Sequence, residues 1–535
     1  MAAGSDINLD LAMRATATSA AEWVIVLPIV FALMGAAALL VLRRSKTAPL
    51  FGALSVVAAI IAAEVVLLRT VLVAGPVSMT MGNWLPPFGI SLTADIFGAG
   101  FALTAALVTF VALIYAEIDR KGLDGRDNFH ATVLLLLAGV TGAFLTGDIF
   151  NLYVWFEVTL IASFGLLANR ANPTQLDGAV KYGFLNFLAT TLFLMSLGLL
   201  YGLLGTLNMA DIIRVAPLAP VAPMAGIAAL LLVAFGMKAA AFPLNAWLPA
   251  SYHTPPAVVS ALFAGLLTKV GAYALLRALV AILPASRDVL EPVLVVVAAL
   301  TLVIAPLGAI AETHLRRASG FIVIGGIGAV MAGIALPSAS GVAGAGLYVF
   351  HAIMTMTAFY LVVGLVEKTT GATDSRYMGG LYAANAPISI IFFLLVLASA
   401  GVPPFLGFWP KLLLLEAGFE RGLSDGPGEW TGTVLVLALL INAVLTLIAG
   451  TRLWAHIFWR SGPEGEMSEH QGTALARLDQ RGSIALGVTG ALAAAIVVAG
   501  LLPASLMASA KTGAADILDA GRYVSATGAT GGDAP

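Results

Sequence analysis

The sequence predicts an all-α polytopic membrane protein of about 14 transmembrane helices, with two inverted five-helix repeats (spans 4–8 and 9–13) and broken helices at spans 7 and 12. Three observations predict it. Of 535 residues, 60% are apolar and 10% charged, with a mean hydropathy of +0.98, whereas soluble domains carry about 25% charged residues. Apolar runs of about 20 residues, the length that crosses a bilayer, recur along the chain. Two of these runs are interrupted by prolines in the same manner. Fourteen spans use about 280 residues, which leaves short loops and no room for an attached nucleotide-binding or catalytic domain. The absence of cysteine excludes disulfides, thiolate-held iron–sulfur clusters and Cys-ligated zinc, and the six histidines show no metal spacing. A net charge of −2 offers no basic face to nucleic acid. No cofactor, metal or nucleic-acid partner is expected.

The first run, near 23–42, has full spanning length and stops at basic residues 43–46, the pattern of a membrane span and not of a cleavable signal peptide. Span 2, near 48–73, carries Glu64 and Arg69, which are expected to satisfy each other or a neighbouring subunit. Between spans 2 and 3, the stretch 77–95 sets Trp84, Pro86, Pro87 and Gly89 between two β-leaning segments, which suggests a short surface hairpin. Spans 3 to 8 follow near 96–115, 130–146, 148–168, 181–204, 225–248 and 256–280. Spans 9 to 14 follow near 290–311, 318–336, 344–366, 386–418, 430–458 and 484–502. In the polar tail only 509–524 suits one interfacial helix, and the last dozen residues are expected to be disordered. The implied units are 1–129 (spans 1–3 and hairpin), 130–283 (first repeat), 284–460 (second repeat) and 461–535 (loop, span 14 and tail).

Orientation follows from lysine and arginine, which are retained on the cytoplasmic side. If the loop after span 1 is cytoplasmic, loops on that side hold fifteen such residues and the opposite side seven, Arg277 among them. Both termini are therefore expected outside. Span 7 contains KAAAFPLNAWLP at 238–249 and span 12 contains GVPPFLGFWPK at 401–411. Proline removes a backbone donor and clashes with the preceding turn, so both helices should break inside the membrane. Matching breaks five spans apart predict a pair of five-helix repeats, and an odd number of spans per copy makes the copies inverted.

An ionisable side chain near the bilayer centre costs at least about 2.5–3.5 kcal/mol, so it should face protein or water and serve a function. Glu157 in span 5, Lys238 in span 7, Lys269 in span 8, His351 in span 11 and Lys411 after the break of span 12 fit that description. Glu157 and Lys238 are the natural opposite-charge partners. Lys269 is left without a carboxylate, which suits a lysine that gives up and regains a proton. The blander alternatives are an ion pair that fixes helix register, lysines that snorkel to an interface, and a histidine that merely packs. Lys181, beside Tyr182 at the start of span 6, fits snorkelling.

At these residues the chain resembles the antiporter-like subunits shared by complex I, membrane-bound hydrogenases and Mrp-type cation/proton antiporters. The resemblance rests on GDIFNLYVWFE at 147–157, Lys238 with FPLNAWLP at 242–249, SALFAGLLTKVGAY at 260–273 and GVPPFLGFWPK at 401–411, in that order, and it covers nearly the whole chain. Lys269 in place of a span 8 histidine, and Lys411 in place of a span 12 glutamate, make it most similar to the D subunits of Mrp-type Na+/H+ antiporters. The resemblance implies a proton-transfer line of Glu157, Lys238, Lys269, His351 and Lys411; Asp148 and Lys181 are supporting candidates, and Thr355 and Thr357, with water, are candidates to support His351 where the chain departs from the family pattern. Relatives often carry a lysine about one turn after the span 11 histidine, whereas this chain has HAIMTMT at 351–357. The start of span 10, LRRAS at 315–319, also departs from the family pattern and reads as a helix cap.

The implied function is that of a non-enzymatic, proton-translocating subunit of a bacterial inner-membrane antiporter that exchanges H+ for Na+ with other subunits of a hetero-oligomer in the lipid bilayer. Three rivals remain open: a subunit of a complex I-like oxidoreductase or hydrogenase, a self-contained solute carrier, and a purely structural scaffold whose charges serve assembly.

Overall fold

The computed structural model describes residues 20–43, 45, 48–84, 89–118, 128–169, 172–424, 428–461 and 477–527. Among them, twelve helices are long and apolar enough to cross a membrane, and two shorter apolar helices, Phe129–Leu145 and Ala386–Ala400, stand where spans 4 and 12 are predicted. The fourteen predicted spans therefore all have a helical counterpart. Span 6 begins earlier than expected, at Pro173, because Asn172 caps it by accepting from Gln175 N at 2.8 Å and Pro173 suits a first turn.

The hairpin is present: β1 (Val77–Thr80) pairs antiparallel with β2 (Ser91–Ala94), with Val77 opposite Ala94 and Thr80 opposite Ser91. Pro86 and Pro87 lie outside the described residues, as do residues 528–535 at the end of the tail. The expected single tail helix is two, Ala504–Leu518 and Ala520–Ala526, divided at Asp519, whose side chain caps the second by accepting from Gly521 N at 3.1 Å.

Burial sorts the spans into a centre and a rim. Span 8 (Ala257–Ile282), span 10 (Leu315–Ala335) and span 11 (Ala339–Thr370) are apolar all round and 94–100% buried over their most hydrophobic windows, whereas span 2 (Ala48–Ala74) is 28% buried. A helix enclosed on every side needs no polar stripe, and a rim helix keeps its outward face apolar for lipid or a neighbour. Small residues bring the central backbones together, since a Cβ at Gly333 of span 10 would stand 2.4 Å from the Gly341 carbonyl of span 11. Span 9 (Pro284–Ala311) packs on span 10 and on span 13 (Glu429–Trp459), and span 4 packs on span 1 (Ala20–Leu42) and span 5 (Ile149–Leu167).

The expected Glu64–Arg69 contact is absent. Five residues apart, the two project from different sides of span 2, since only i+3 and i+4 neighbours meet on a helix. Glu64 is fully buried and accepts from Thr141 Oγ1 of span 4 at 3.5 Å, and Arg69 is exposed.

Candidate proton-transfer site

Span 7 stops at Ala239 because Ala240 adopts the left-handed conformation (φ 63°, ψ 45°) and Pro243 cannot continue the helix. The break is tied down at both ends. Trp247 Nε1 donates to Met237 O at 3.0 Å, and Phe242 N donates to Thr301 Oγ1 of span 9 at 3.1 Å. Lys238, in the last turn before the break, is 8% exposed and places its ammonium 5.4 Å from the centre of the Phe156 ring. Beside it a cavity of about 10 Å³, room for one water, is lined by Thr159, Tyr182, Asn186 and Trp247. Tyr182 Oη and Ser163 Oγ close one wall at 2.6 Å.

Glu157 lies half-buried on span 5, within electrostatic reach of Lys238, Tyr153 and Tyr182. The expected Glu157–Lys238 ion pair is not closed, with no N···O approach within 4.0 Å. The ammonium instead meets the face of Phe156, one residue and about 100° round the helix from Glu157, and a desolvated cation gains from a ring face.

Lys269 is 1% exposed in the middle of span 8, directly after the π-helical turn Phe263–Leu267. The widened turn lets its ammonium fold back and donate to Ala264 O at 2.5 Å, with Thr268 Oγ1 at 3.2 Å. It has no carboxylate partner within 4.0 Å among the described residues. Two close backbone approaches join span 8 to its neighbours. A Cβ at Gly271 would stand 2.7 Å from Ala239 N and 3.1 Å from Lys238 Cβ, which brings spans 7 and 8 together at Lys238. A Cβ at Gly265 would stand 2.1 Å from Thr357 Oγ1, which joins spans 8 and 11.

His351 is fully buried on span 11 between the two lysines, within electrostatic reach of both Lys269 and Lys411. Its Nδ1 pairs with Thr355 Oγ1 at 3.1 Å, while its Nε2 edge abuts Gly407 in the span 12 break, where a Cβ would stand 2.9 Å away. Thr357 Oγ1 donates to Ile353 O at 2.7 Å and thus serves its own helix. Span 12 consists of Ala386–Ala400 and Phe408–Gly422, parted at Gly401 (φ 82°). Lys411 is 4% exposed and donates to Ala400 O at 2.8 Å. That carbonyl belongs to the C-terminal end of a half-helix, where the backbone dipole favours a cation.

Sequence reasoning passed over Asn442. It accepts from Lys411 Nζ at 3.2 Å and donates to Leu302 O at 2.8 Å, which links span 12 to spans 13 and 9. The available signal was a single amide within the apolar run of span 13. Arg277, counted above as a loop residue, is 3% exposed inside span 8 and ion-paired with Asp95. Two supporting candidates stand apart from the line. Asp148 caps span 5 by accepting from Asn151 N at 2.8 Å, and Lys181 is exposed and paired with Asp177 at 2.5 Å, one turn away on span 6.

Residues 146–442, which contain both breaks and all five residues of the line, match the family model described as NADH:quinone oxidoreductase/Mrp antiporter, TM. The Na(+)/H(+) antiporter D subunit of Bacillus subtilis (strain 168) is 33% identical over 450 residues, 84% of this chain and 89% of that one. The chain belongs to the family of Mrp antiporter D subunits and complex I antiporter-like subunits. The Na(+)/H(+) antiporter D subunit of Alkalihalophilus pseudofirmus is 35% identical over 382 residues, 71% of this chain and 76% of that one. In three dimensions the family's antiporter-like fold is evident. A chain of the Mrp complex from Dietzia sp. DQ12-45-1b superposes with a TM-score of 0.83 at 26% identity, covering 94% of this chain and 99% of that one. A chain of the membrane-bound sulfane sulfur reductase, an archaeal respiratory membrane complex, superposes with a TM-score of 0.82 at 26% identity and the same coverage. As a member of this family the chain is a multi-pass membrane transporter subunit.

Proposed function

We propose that this chain carries protons between Glu157, Lys238, Lys269, His351 and Lys411 within a hetero-oligomeric antiporter that exchanges H+ for Na+. The observation that carries the reading is the close packing of spans 7 and 8 at Gly271, of spans 8 and 11 at Gly265 and of spans 11 and 12 at Gly407, which gathers the four spans that bear Lys238, Lys269, His351 and Lys411. These groups are buried, and none of them is neutralised by a described carboxylate within 4.0 Å. Opening and closing of a Glu157–Lys238 contact would change the field at Lys269, and the placement of Lys238 over Phe156 is compatible with an open arrangement. The exchanged ion and the partner subunits are inferred from the named relatives, and the outward position of both termini from the basic-residue count. The repeat boundaries proposed here are those expected from the sequence, supported by the left-handed residues Ala240 and Gly401 that open both breaks.

The likeness to the sulfane sulfur reductase chain favours a second reading, in which the same proton line is coupled to electron-transfer partners. Purification of the native assembly distinguishes the two by the presence or absence of redox subunits. A cavity with room for one water beside Lys238 speaks against a solute-sized binding site there.

Lys269→Arg is the decisive variant. Arginine keeps the positive charge but does not release a proton in proteins. Everted vesicles carrying the assembled variant should show no Na+-driven pH change, a loss of at least about tenfold. Exchange at the wild-type rate across the pH range would make Lys269 a fixed charge and end the proton-line reading.

A further inference from the structure

We propose that span 9 is a tie-bar between the two broken spans, in which Thr301 holds the break of span 7 and the Leu302 carbonyl, through Asn442, holds Lys411 of span 12. The link rests on the proton line proposed above, two of whose lysines it joins by a route that passes through neither Lys269 nor His351.

Each attachment answers a backbone defect at a proline. In span 7 the helix stops at Ala239, ahead of Pro243, and Phe242 N falls outside the helical ladder. Thr301 Oγ1 accepts from that N–H at 3.1 Å and donates its own proton to Val297 O, one turn back in span 9, at 2.6 Å. In span 9 itself Pro306 lies inside the helix. Proline has no N–H and its ring crowds the carbonyl four residues earlier, so the Leu302 carbonyl loses its helical donor. Asn442 Nδ2 of span 13 donates to that carbonyl at 2.8 Å, and Asn442 Oδ1 accepts from Lys411 Nζ at 3.2 Å.

The two attachment points are consecutive residues, one helical rise of about 1.5 Å apart, so span 9 cannot shift at one without shifting at the other. Thr301 and Leu302 are both fully buried. Span 10 clamps the same stretch, since a Cβ at Gly328 would stand 2.8 Å from Leu302 N and one at Gly325 would stand 3.1 Å from Asn442 Nδ2. A stretch packed this closely passes a displacement on and does not absorb it. A shift of the span 7 break, made when Lys238 changes its charge or its partner, is thereby carried through Thr301, Leu302 and Asn442 to Lys411. If each bond served only its own helix, changing one would leave the other undisturbed.

The test is amide hydrogen exchange of the intact assembly in detergent, read on peptides that cover the breaks at 240–246 and 401–407. Thr301→Val keeps the shape of the side chain but removes the hydroxyl. It should speed amide exchange several-fold at 240–246 and, through span 9, at 401–407 as well, and Thr301→Ser should restore both. Pro306→Ala returns an N–H that draws the Leu302 carbonyl back into the helix and away from Asn442, and it removes a helix-interior proline, so folding does not suffer. It should loosen 401–407 and, because coupling is reciprocal, 240–246 too. Should Thr301→Val fail to assemble, Pro306→Ala decides on the same two peptides. A response confined to the break nearest each substitution would overturn the tie-bar. The proton line fails by a different result, Na+/H+ exchange at the wild-type rate in Lys269→Arg, which depends on neither peptide.

Discussion

Lys411 and Asn442 illustrate how one side chain can set another's charge. Lys411 Nζ has two acceptors, the Ala400 carbonyl at 2.8 Å and Asn442 Oδ1 at 3.2 Å, and both are neutral. Neutral acceptors hold an ammonium in place without the Coulomb energy that would fix its proton. Asn442→Asp places a carboxylate at that contact and should trap Lys411 in its charged form, stopping exchange in an assembled complex. Asn442→Leu leaves the Leu302 carbonyl and one ammonium proton unsatisfied, at about 1–3 kcal/mol, and should slow exchange roughly tenfold. Na+-dependent pH change in everted vesicles measures both, and an Asp variant that works at the wild-type rate would show that Lys411 need not lose its charge.

The two broken spans solve one backbone problem with different residues. Each half-helix ends in a left-handed residue, Gly401 at φ 82° in span 12 and Ala240 at φ 63° in span 7. Only the first is free of the Cβ penalty of about 1–2 kcal/mol. Gly401→Ala adds that penalty and also a Cβ 2.7 Å from Lys411 Cδ, so it should displace the lysine as well as destabilise the break. Ala240→Gly relieves the same penalty and should leave the thermal midpoint in detergent unchanged or slightly raised, since the added freedom of the unfolded chain offsets part of the gain. A midpoint for Gly401→Ala equal to that of the wild type, with normal exchange, would contradict this account.

At the scale of the molecule, the loops on the face opposite the hairpin carry a titrating contact of their own. His253 follows the second half of span 7, and His314 joins spans 9 and 10, with the rings 5.2 Å apart. Burial, then His253 and Arg316, hold His314 down to about 4, with Glu312 opposing and Arg317 adding to the effect. An unfolded imidazole takes its proton near 6.5, so between about pH 4 and 6.5 the unfolded chain binds more protons and stability rises with pH. The assembly in detergent should therefore melt lower as pH falls through that window. His314→Gln should flatten the trend, and an unchanged slope would assign the acid sensitivity elsewhere.

The sequence by itself determined the class, the fourteen spans, both breaks and the ionisable positions inside the spans, because bilayer thickness, proline chemistry and the cost of a buried charge all act on local stretches. Only the tertiary structure decided which groups meet. Lys238 rests on Phe156 and not on Glu157, Glu64 faces Thr141 and not Arg69, and Asn442 reaches Lys411 from 31 residues away. Arg277 was read as a loop residue because it lies near a span end, yet Asp95, 182 residues earlier in the chain, draws it inside. Partners of this kind are set by the azimuth at which packed helices face one another, and hydropathy along a chain carries no record of that angle when the central helices are apolar on every side.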